Sequence, residues 1–314
     1  MNKALNILVT SCGGDIGQSI GKILKKINHT SFGLDISENN AAQFIFDHFE
    51  IGLKVSDENY ISNLKKFINT NKIDAIIPVS EPELRFYTKN FGDCPVINGA
   101  KVVMANHFSR EIGFDKKKTC DFLKDNQLPN PELYSLNSEN IIFPFIAKPR
   151  TGAGSSNIFK VNDFEEFKFI SKKYHDFIYQ ELLDGQEGEY TCCAYKGQNN
   201  DIRTISFKRE LTSGGFSGYG EVVEDNRIDK LLIEISNLLN LKGSINIQLR
   251  IHKEVPMVFE INPRFSSTIL FRHLLGFKDL EWSINELFDQ DISNYSKPKR
   301  GQRFYKGYQE YIKL

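Results

Sequence analysis

Short apolar segments alternate with segments of helical periodicity over the first hundred residues, and this alternation limits the fold more than any other feature. Ile7–Thr10, Ser31–Asp35 and Ile73–Pro78 are predicted strands, and Gln18–Ile27 and Glu58–Asn69 are predicted helices. A strand, helix, strand succession gives a parallel sheet with helices on its faces. The sequence therefore predicts an N-terminal α/β domain.

The turn after the first predicted strand is rich in glycine. Gly13, Gly14 and Gly17 occupy some positions of a dinucleotide-binding fingerprint, but the full GxGxxG spacing is missing. We therefore expect a glycine turn that binds no dinucleotide.

The remainder of the chain follows a different pattern, which begins near Phe108. Its predicted helices are Lys116–Asn126, Asp163–Tyr174 and Arg227–Leu239, and its predicted strands are Ile141–Lys148, Phe177–Glu181, Glu189–Tyr195, Asp201–Arg209, Ser244–Arg250 and Met257–Ile261. Strands that follow one another without helices favour antiparallel pairing and an α+β arrangement. We therefore predict three units, residues 1–107, 108–178 and 179–314, that share a cleft.

Composition and charge exclude several classes of protein. The formal charge is zero, because 40 lysine and arginine residues balance 40 aspartate and glutamate residues. A neutral chain carries no electrostatic signature of nucleic acid or of an anionic membrane as partner, and no apolar run approaches the roughly 20 residues that span a bilayer. The five cysteines form no CxxC pair, which favours reduced thiols. The N-terminus shows no targeting segment, so we expect a cytoplasmic protein.

Three oxygen-bearing side chains near the C-terminal end are predicted to converge. Gln248 lies on one apolar strand and Glu260 on the next, so pairing would place both on one face, with Asn262 two positions further along it. Mg²⁺ prefers such hard oxygen ligands, and Arg264 could bind a phosphate or acyl-phosphate oxygen beside them. The alternative is that Glu260 is a salt-bridged strand acid and that Asn262 belongs to a turn.

Asn246–Gln248, followed by Phe259–Arg264, resembles the metal-binding end of the ATP-grasp superfamily, in its carbamoyl-phosphate-synthase-like branch. Other segments resemble the same family in the same order, from about Lys116 to about Leu275. The N-terminal unit resembles the Rossmann-like domain that usually precedes this fold. The resemblance implies a two-lobed ATP-grasp fold that binds ATP and Mg²⁺ as cofactors between its lobes.

The resemblance also implies roles for individual residues in binding ATP. The implied cofactor-binding residues are Lys116, Lys148, Ser155, Ser156, Gln180, Glu181, Leu182, Leu183 and Glu189. The two lysines match the residues that reach the phosphates, the two serines lie in the loop that covers them, the segment 180–183 matches the adenine hinge, and Glu189 matches the ribose acid. From the residues alone, the alternatives are solvated surface lysines and a simple hairpin turn.

Two departures from the family pattern are evident. The segment between Glu181 and Glu189 is longer than the usual hinge, which leaves Glu187 as a rival for the ribose contact. The sequence also has neither a second ATP-grasp unit nor a glutaminase domain, which argues against a complete carbamoyl phosphate synthase.

The substrate side is less well defined by the sequence. Glu81 follows the third predicted strand, at the carboxyl end where ligands collect in α/β sheets, and it could hold an amine. Alternatively, it is an acid at a helix N-terminus. Arg272 follows the metal strand and could contact a carboxylate substrate, with a place on a helix surface as the alternative.

The resemblance implies a ligase that activates a carboxylate as an acyl phosphate and passes it to an amine. Its implied catalytic residues are Arg209, which would approach the transferring phosphoryl group, and Arg264. The implied partners are a small-molecule carboxylate and an amine, of amino-acid or sugar-acid type, and exposed strand edges and relatives favour a homodimer. Two rival functions are a phosphotransferase that stops after phosphoryl transfer and a non-catalytic nucleotide-binding protein.

Overall fold

The computed structural model describes residues 4–152, 157–183, 185–212, 215, 217–307 and 309–312, and its strands form three sheets. Ser155 and Ser156, which the resemblance places in the phosphate-covering loop, lie outside the described residues. None of the helices in the described part of the chain combines the length and the apolar character that a bilayer crossing requires.

The N-terminal unit is an α/β sandwich. It contains β1 (Asn6–Thr10), α1 (Asp15–Lys26), β2 (Thr30–Asp35), a short 3-10 helix (Ala41–Phe44), β3 (His48–Ile51), α2 (Tyr60–Asn71), β4 (Ala75–Pro78), α3 (Glu81–Phe91), β5 (Val96–Ile97) and β6 (Ala100–Val102). The strand order is β3-β2-β1-β4-β6-β5, and the pairs are parallel except β5 with β6. The order therefore reverses between β1 and β4, and the predicted α/β fold is confirmed.

The second sheet is small and antiparallel. This part of the chain contains α4 (His107–Gly113), α5 (Lys116–Asp125), β7 (Leu133–Tyr134), β8 (Phe145–Pro149), β9 (Phe159–Val161), α6 (Phe164–Lys173) and β10 (Phe177–Glu181). The order is β7-β10-β8-β9. The strand predicted from Ile141 begins later, at Phe145, because Pro144 has no N–H with which to extend the ladder.

The third sheet is larger and also antiparallel. Its region contains β11 (Glu189–Lys196), β12 (Ile202–Leu211), β13 (Ser217–Val222), α7 (Asn226–Leu238), β14 (Gly243–His252), β15 (Val255–Asn262), α8 (Ile269–Leu274), α9 (Asp279–Leu287) and β16 (Arg303–Tyr305). The order is β15-β14-β11-β12-β13-β16. Helix α7 covers one face of this sheet, where Leu232 and Ile235 pack with Ile247 and Leu249. The α+β part of the prediction is thus confirmed.

The three regions share apolar cores, so they do not pack as separate domains. Phe265, Ile269 and Leu280, from the third region, pack in one apolar cluster with Ile20 and Leu24 of α1. Likewise, the apolar side of α5 lies in the core under the third sheet. The unit boundaries at residues 107 and 178 therefore stay predictions, and β10 runs across the second of them.

The C-terminal tail returns to the N-terminal unit. After β16 has paired with β13, Lys306 forms an ion pair with Asp15 at the start of α1, and Tyr311 stacks on Phe44 with ring centroids 5.0 Å apart. The tail therefore connects the third sheet to the first helix by contacts that the sequence did not indicate.

Arg272 lies in the protein core, which corrects the suggestion that it contacts a substrate. Its guanidinium donates to Asp279 at 2.7 Å and to the hydroxyls of Ser266 and Thr268 at 2.7 and 2.8 Å. Both members of the ion pair are 1% exposed. Burial alone would lower the pKa of Arg272, but the charges of Asp279 and Cys193 and the hydrogen bond to Asp279 together raise it. Arg272 therefore joins α8 to α9 and has a structural place.

Replacing this arginine should destabilise the fold. In Arg272→Ala, Asp279 would stay buried without its counter-charge, so we expect the free energy of unfolding to fall by about 3–5 kcal/mol. Urea denaturation followed by circular dichroism measures this change. The control is Lys117→Ala, which removes an exposed ion pair with Asp121 and should cost less than about 1 kcal/mol. Equal effects in the two variants would contradict the structural role.

Candidate active site

A cavity of about 610 Å³ lies between the second and third sheets. Its walls come from β8 and β10 on one side and from β11, β12, β14 and β15 on the other. The predicted site residues that line it are Lys116, Lys148, Gln180, Glu181, Leu182, Leu183, Glu189, Arg209, Gln248, Glu260, Asn262 and Arg264. The structure therefore brings together side chains that are far apart in the sequence.

Strand register builds an ion-pair triad into the third sheet. Glu189, on β11, is paired with Arg209 on β12 and with Arg250 on β14. Paired residues point to the same face, and the carboxylate accepts from both guanidinium groups at 2.8 Å. Burial raises the pKa of Glu189, but the charge of Arg209 and the hydrogen bonds from both arginines outweigh burial and lower it. Glu189 is therefore ionised and holds both arginines in place.

The predicted metal ligands lie in adjacent rows of the same sheet. In the β14–β15 ladder, Gln248 is paired with Glu260, and Asn246 is paired with Asn262. This is the pairing that the sequence indicated. Gln248 Oε1 also accepts from Arg209 at 2.9 Å, which fixes the amide. The face thus presents a carboxylate and two side-chain amides to the cavity.

This donor set suits a hard cation. A carboxylate and amide oxygens are ligands that Mg²⁺ accepts, and it usually completes its shell with phosphate oxygens and water. Within the described residues, no group of three or more His, Cys, Asp or Glu side chains is placed to hold a metal. A cation at Glu260 would therefore depend on amide oxygens and on the phosphates of a bound nucleotide.

Lys148 faces this row from the opposite wall. It lies on β8, is 7% exposed, and places Nζ 3.4 Å from the carbonyl oxygen of Phe259 and 5.6 Å from the centre of its ring. Burial lowers the pKa of Lys148, and the charge of Glu260 opposes that shift. Among the described residues, no carboxylate lies within ion-pair distance of Lys148. A bound phosphate would supply the missing negative charge.

Lys116, the other lysine predicted to reach the phosphates, is the first residue of α5. Asp115 caps this helix and binds Arg150 at 2.6 Å, while Lys116 Nζ donates to the carbonyl oxygen of Gly152 at 2.7 Å. Glu81, the first residue of α3, accepts from the amide of Gly152 at 3.3 Å. The structure therefore places Glu81 beside Gly152, which lines the cavity.

The hinge segment links the two walls. Gln180 is 3% exposed and donates to Cys120 Sγ at 3.2 Å, and the carbonyl oxygen of Leu183 accepts from Arg250 at 3.1 Å. Glu187, the rival for the ribose contact, does not line the cavity, and its carboxylate accepts from the amide of Glu254 at 3.3 Å. The geometry therefore favours Glu189 over Glu187 as a ligand contact.

Several residues that line the cavity were not predicted from the sequence. Arg250, Phe259, Ser266 and Ser267 all line the cavity. Arg250 could have been found, because it lies two residues after Gln248 in the same strand and therefore shares its face. The other three give no comparable signal, since their position depends on how the third sheet meets the second.

Arg264 occupies the end of β15 beside the metal row. Its Nη1 donates to the carbonyl oxygen of Phe265 at 3.0 Å. Burial lowers the pKa of Arg264, and the charges of Glu260 and Glu81 oppose that shift. A glycine lets α4 approach this strand end, because a Cβ at Gly113 would lie 2.7 Å from Pro263. Arg264 therefore lines the cavity, where the charges of two acids act on it.

Two parts of the chain match known protein families. Residues 114–268 match the model of the ATP-grasp domain, and residues 7–93 match the PylC-like N-terminal domain. The large chain of carbamoyl phosphate synthase from Thermoanaerobacter sp. is 27% identical over 198 residues, which is 55% of this chain and 18% of the relative. The chain thus spans less than a fifth of that curated relative.

Solved structures show the same fold. Biotin carboxylase from Campylobacter jejuni, solved as a β,γ-ATP complex, has a TM-score of 0.73 at 13% identity and covers 96% of this chain and 74% of its own. The L-amino acid ligase from Bacillus licheniformis has a TM-score of 0.67 at 16% identity and covers 91% and 74%. The chain therefore contains an ATP-grasp domain at residues 114–268, preceded by a PylC-like N-terminal domain at residues 7–93.

Proposed function

We propose that the protein is a carboxylate–amine ligase that uses ATP and Mg²⁺ and forms an amide through an acyl phosphate. The proposal is carried by one observation, the meeting in a single cavity of a buried lysine, a row of oxygen ligands and two arginines. The substrates are a carboxylate and an amine of amino-acid or sugar-acid type. The name of the Bacillus licheniformis relative, an L-amino acid ligase, favours amino acids.

ATP would bind between the two walls. Lys116 and Lys148 supply positive charge to the phosphates from two sides, and the hinge 180–183 receives the adenine. Glu189 would contact the ribose while it holds its arginines, because a carboxylate offers about four lone-pair sites and so has acceptor capacity left. Its two ion pairs therefore do not exclude a nucleotide hydroxyl.

The metal site would use the oxygen row. Glu260, with Gln248 and Asn262, would hold Mg²⁺, which neutralises phosphate charge when it is bound. Arg209 donates hydrogen bonds to both Gln248 and Glu189. One network therefore fixes the orientation of both the amide ligand and the arginine. Such groups act chiefly by positioning and by stabilising charge, as phosphoryl transfer requires.

The proposed reaction has two steps, and each step uses one of the two arginines. A carboxylate oxygen of the substrate attacks the γ-phosphorus of ATP, ADP leaves, and Arg209 stabilises the charge on the transferring group. Arg264 then holds an oxygen of the acyl phosphate while the amine attacks the acyl carbon and phosphate leaves. Glu81, beside Gly152, would hold the incoming ammonium group before it loses its proton. The residues thus position both half-reactions at one end of the cavity.

The rival functions are tested by the same cavity. A non-catalytic nucleotide-binding protein has no need of Lys148, Glu260 and Gln248 together, and all three line the cavity. A phosphotransferase would share the ATP site but would release no phosphate. The expected homodimer also stays a prediction.

The ion-pair triad should matter for turnover. In Glu189→Gln, both arginines lose their charged partner, so we expect ADP formation to fall by about 10–100-fold. The matched control is Glu187→Gln, for which we expect a change within about twofold. Steady-state kinetics measures both. A larger loss in the Glu187 variant would assign the ribose contact to that residue instead.

The two walls of the cavity should each be essential. Lys148→Ala removes the buried positive charge and Glu260→Ala removes the carboxylate ligand, so each should reduce ADP formation by about 100-fold or more while the circular dichroism spectrum is kept. The controls are Lys118→Ala and Glu234→Ala, which change exposed residues of the same types. Normal turnover in either cavity variant would show that the site assignment is wrong.

The reaction type can be read from its products. The protein is incubated with Mg-ATP, a panel of carboxylates, and hydroxylamine as a trapping amine. We expect ADP and phosphate in equal amounts, together with a hydroxamate from one carboxylate, because an acyl phosphate reacts with any good nucleophilic amine. Formation of ADP without phosphate would favour the phosphotransferase.

A further inference from the structure

The N-terminal unit contains a second cavity, of about 360 Å³. Among the described residues, none lines both this cavity and the ATP cavity. It is lined by Thr10 at the end of β1, by the following Ser11, by Asp35 at the end of β2, and by Ser80 after β4. This is the carboxyl edge of the sheet beside the point where the strand order reverses, and open α/β sheets bind ligands at such a crevice. Its volume lies within the range of about 300–1,000 Å³ that small-molecule sites occupy.

Glu83 is the polar centre of this cavity. It is 5% exposed, and its carboxylate accepts from Ser11 at 2.9 Å, from Ser80 at 2.7 Å and from Tyr60 at 2.7 Å. Burial, followed by the charge of Glu83, raises the pKa of Tyr60, so the phenol keeps the proton that it donates. Glu83 is thus surrounded by neutral hydroxyl donors.

This carboxylate has hydroxyl partners and no ion-pair partner among the residues that the structure describes. In the described part of the chain, no lysine, arginine or histidine forms an ion pair with Glu83. Glutamate is rarely buried to this degree unless it is paired with a cation. The three hydroxyls orient the carboxylate but leave its charge uncompensated, which favours a cationic group on a ligand.

The other residues that line the cavity indicate which chemical groups such a ligand has besides its cationic group. Leu34, Val55, Leu64 and Pro82 give the cavity an apolar wall. Lys54 lines the same cavity and is exposed, so a positive charge lies on its solvent side. A buried anion, an apolar wall and an exposed cation match an ammonium group, an aliphatic side chain and a carboxylate.

We propose that this second cavity binds a small aliphatic α-amino acid. Its ammonium group pairs with Glu83, its side chain packs against the apolar wall, and its carboxylate faces Lys54. The site does not depend on the ligase chemistry proposed above. The amino acid bound here would be an effector, since the amine substrate is expected at Glu81, and Glu81 does not line this cavity.

Isothermal titration calorimetry without nucleotide tests this site. The probes are glycine and both enantiomers of alanine, valine and leucine, with isovalerate, which is valine without its amino group. We expect at least one amino acid to bind and isovalerate to fail. Glu83→Gln should weaken that binding by about tenfold or more, because the ammonium group loses its charged partner. The control Glu58→Gln changes an exposed acid at the neighbouring helix and should bind as the wild type does.

A second variant separates the site from effects on folding. Val55→Trp fills the cavity from a half-buried position without touching Glu83, and it should also abolish binding. An unchanged affinity for ADP shows that each variant is folded. Failure of every amino acid to bind, or equal affinity in the wild type, Glu83→Gln and Val55→Trp, would overturn the proposal.

The ligase proposal and the amino-acid-binding proposal can be contradicted separately. Amino-acid binding is measured here without ATP, whereas the ligase is judged by ADP, phosphate and hydroxamate. A labelled amino acid that enters the product is the amine substrate, and one that binds but stays free is an effector. Incorporation into the product therefore reports on the ATP cavity, whereas loss of binding in Glu83→Gln and Val55→Trp reports on the second cavity.

Discussion

The ATP cavity depends first on the ion pairs that Glu189 makes with the strands on either side of it. A central strand carries the carboxylate, and each neighbouring strand carries an arginine in register with it. Arg209 extends the network to Gln248. The charged side chains are therefore positioned by the ladder itself, before any ligand binds. Phosphoryl transfer requires little covalent chemistry from the protein, so positioning of this kind is the protein's main contribution.

Both cavities contain charged side chains that form no ion pair among the described residues. Burial lowers the pKa of Lys148 and of Arg264, which shows that each cation is held where water solvates it poorly. A phosphate or acyl phosphate would restore the balance in the ATP cavity. Glu83 presents the same situation with the opposite sign, since it is buried among hydroxyls. The sign of the uncompensated charge therefore separates an anion site from a cation site in one chain.

Short-range periodicity explains what the sequence could predict. The alternation of side chains along a strand was enough to place Gln248, Glu260 and Asn262 on one face, and the ladder has that pairing. It could also have revealed Arg250. Arg272 was misplaced because its burial depends on the packing of α8 against α9, which local pattern does not encode. The second cavity escaped notice for a related reason, because residues from three strand ends meet there only in the folded sheet.

The start of α3 shows how one helix can serve two cavities. Glu81 and Glu83 are two residues apart, so their side chains leave the helix about 200° apart around its axis. Glu81 faces Gly152 at the edge of the ATP cavity, whereas Glu83 faces the hydroxyls of the second cavity. Both carboxylates belong to the same helical turn. A ligand that binds Glu83 would therefore also affect the backbone that positions Glu81. An amino acid in the second cavity would thus act directly on the helix end that we expect to receive the amine.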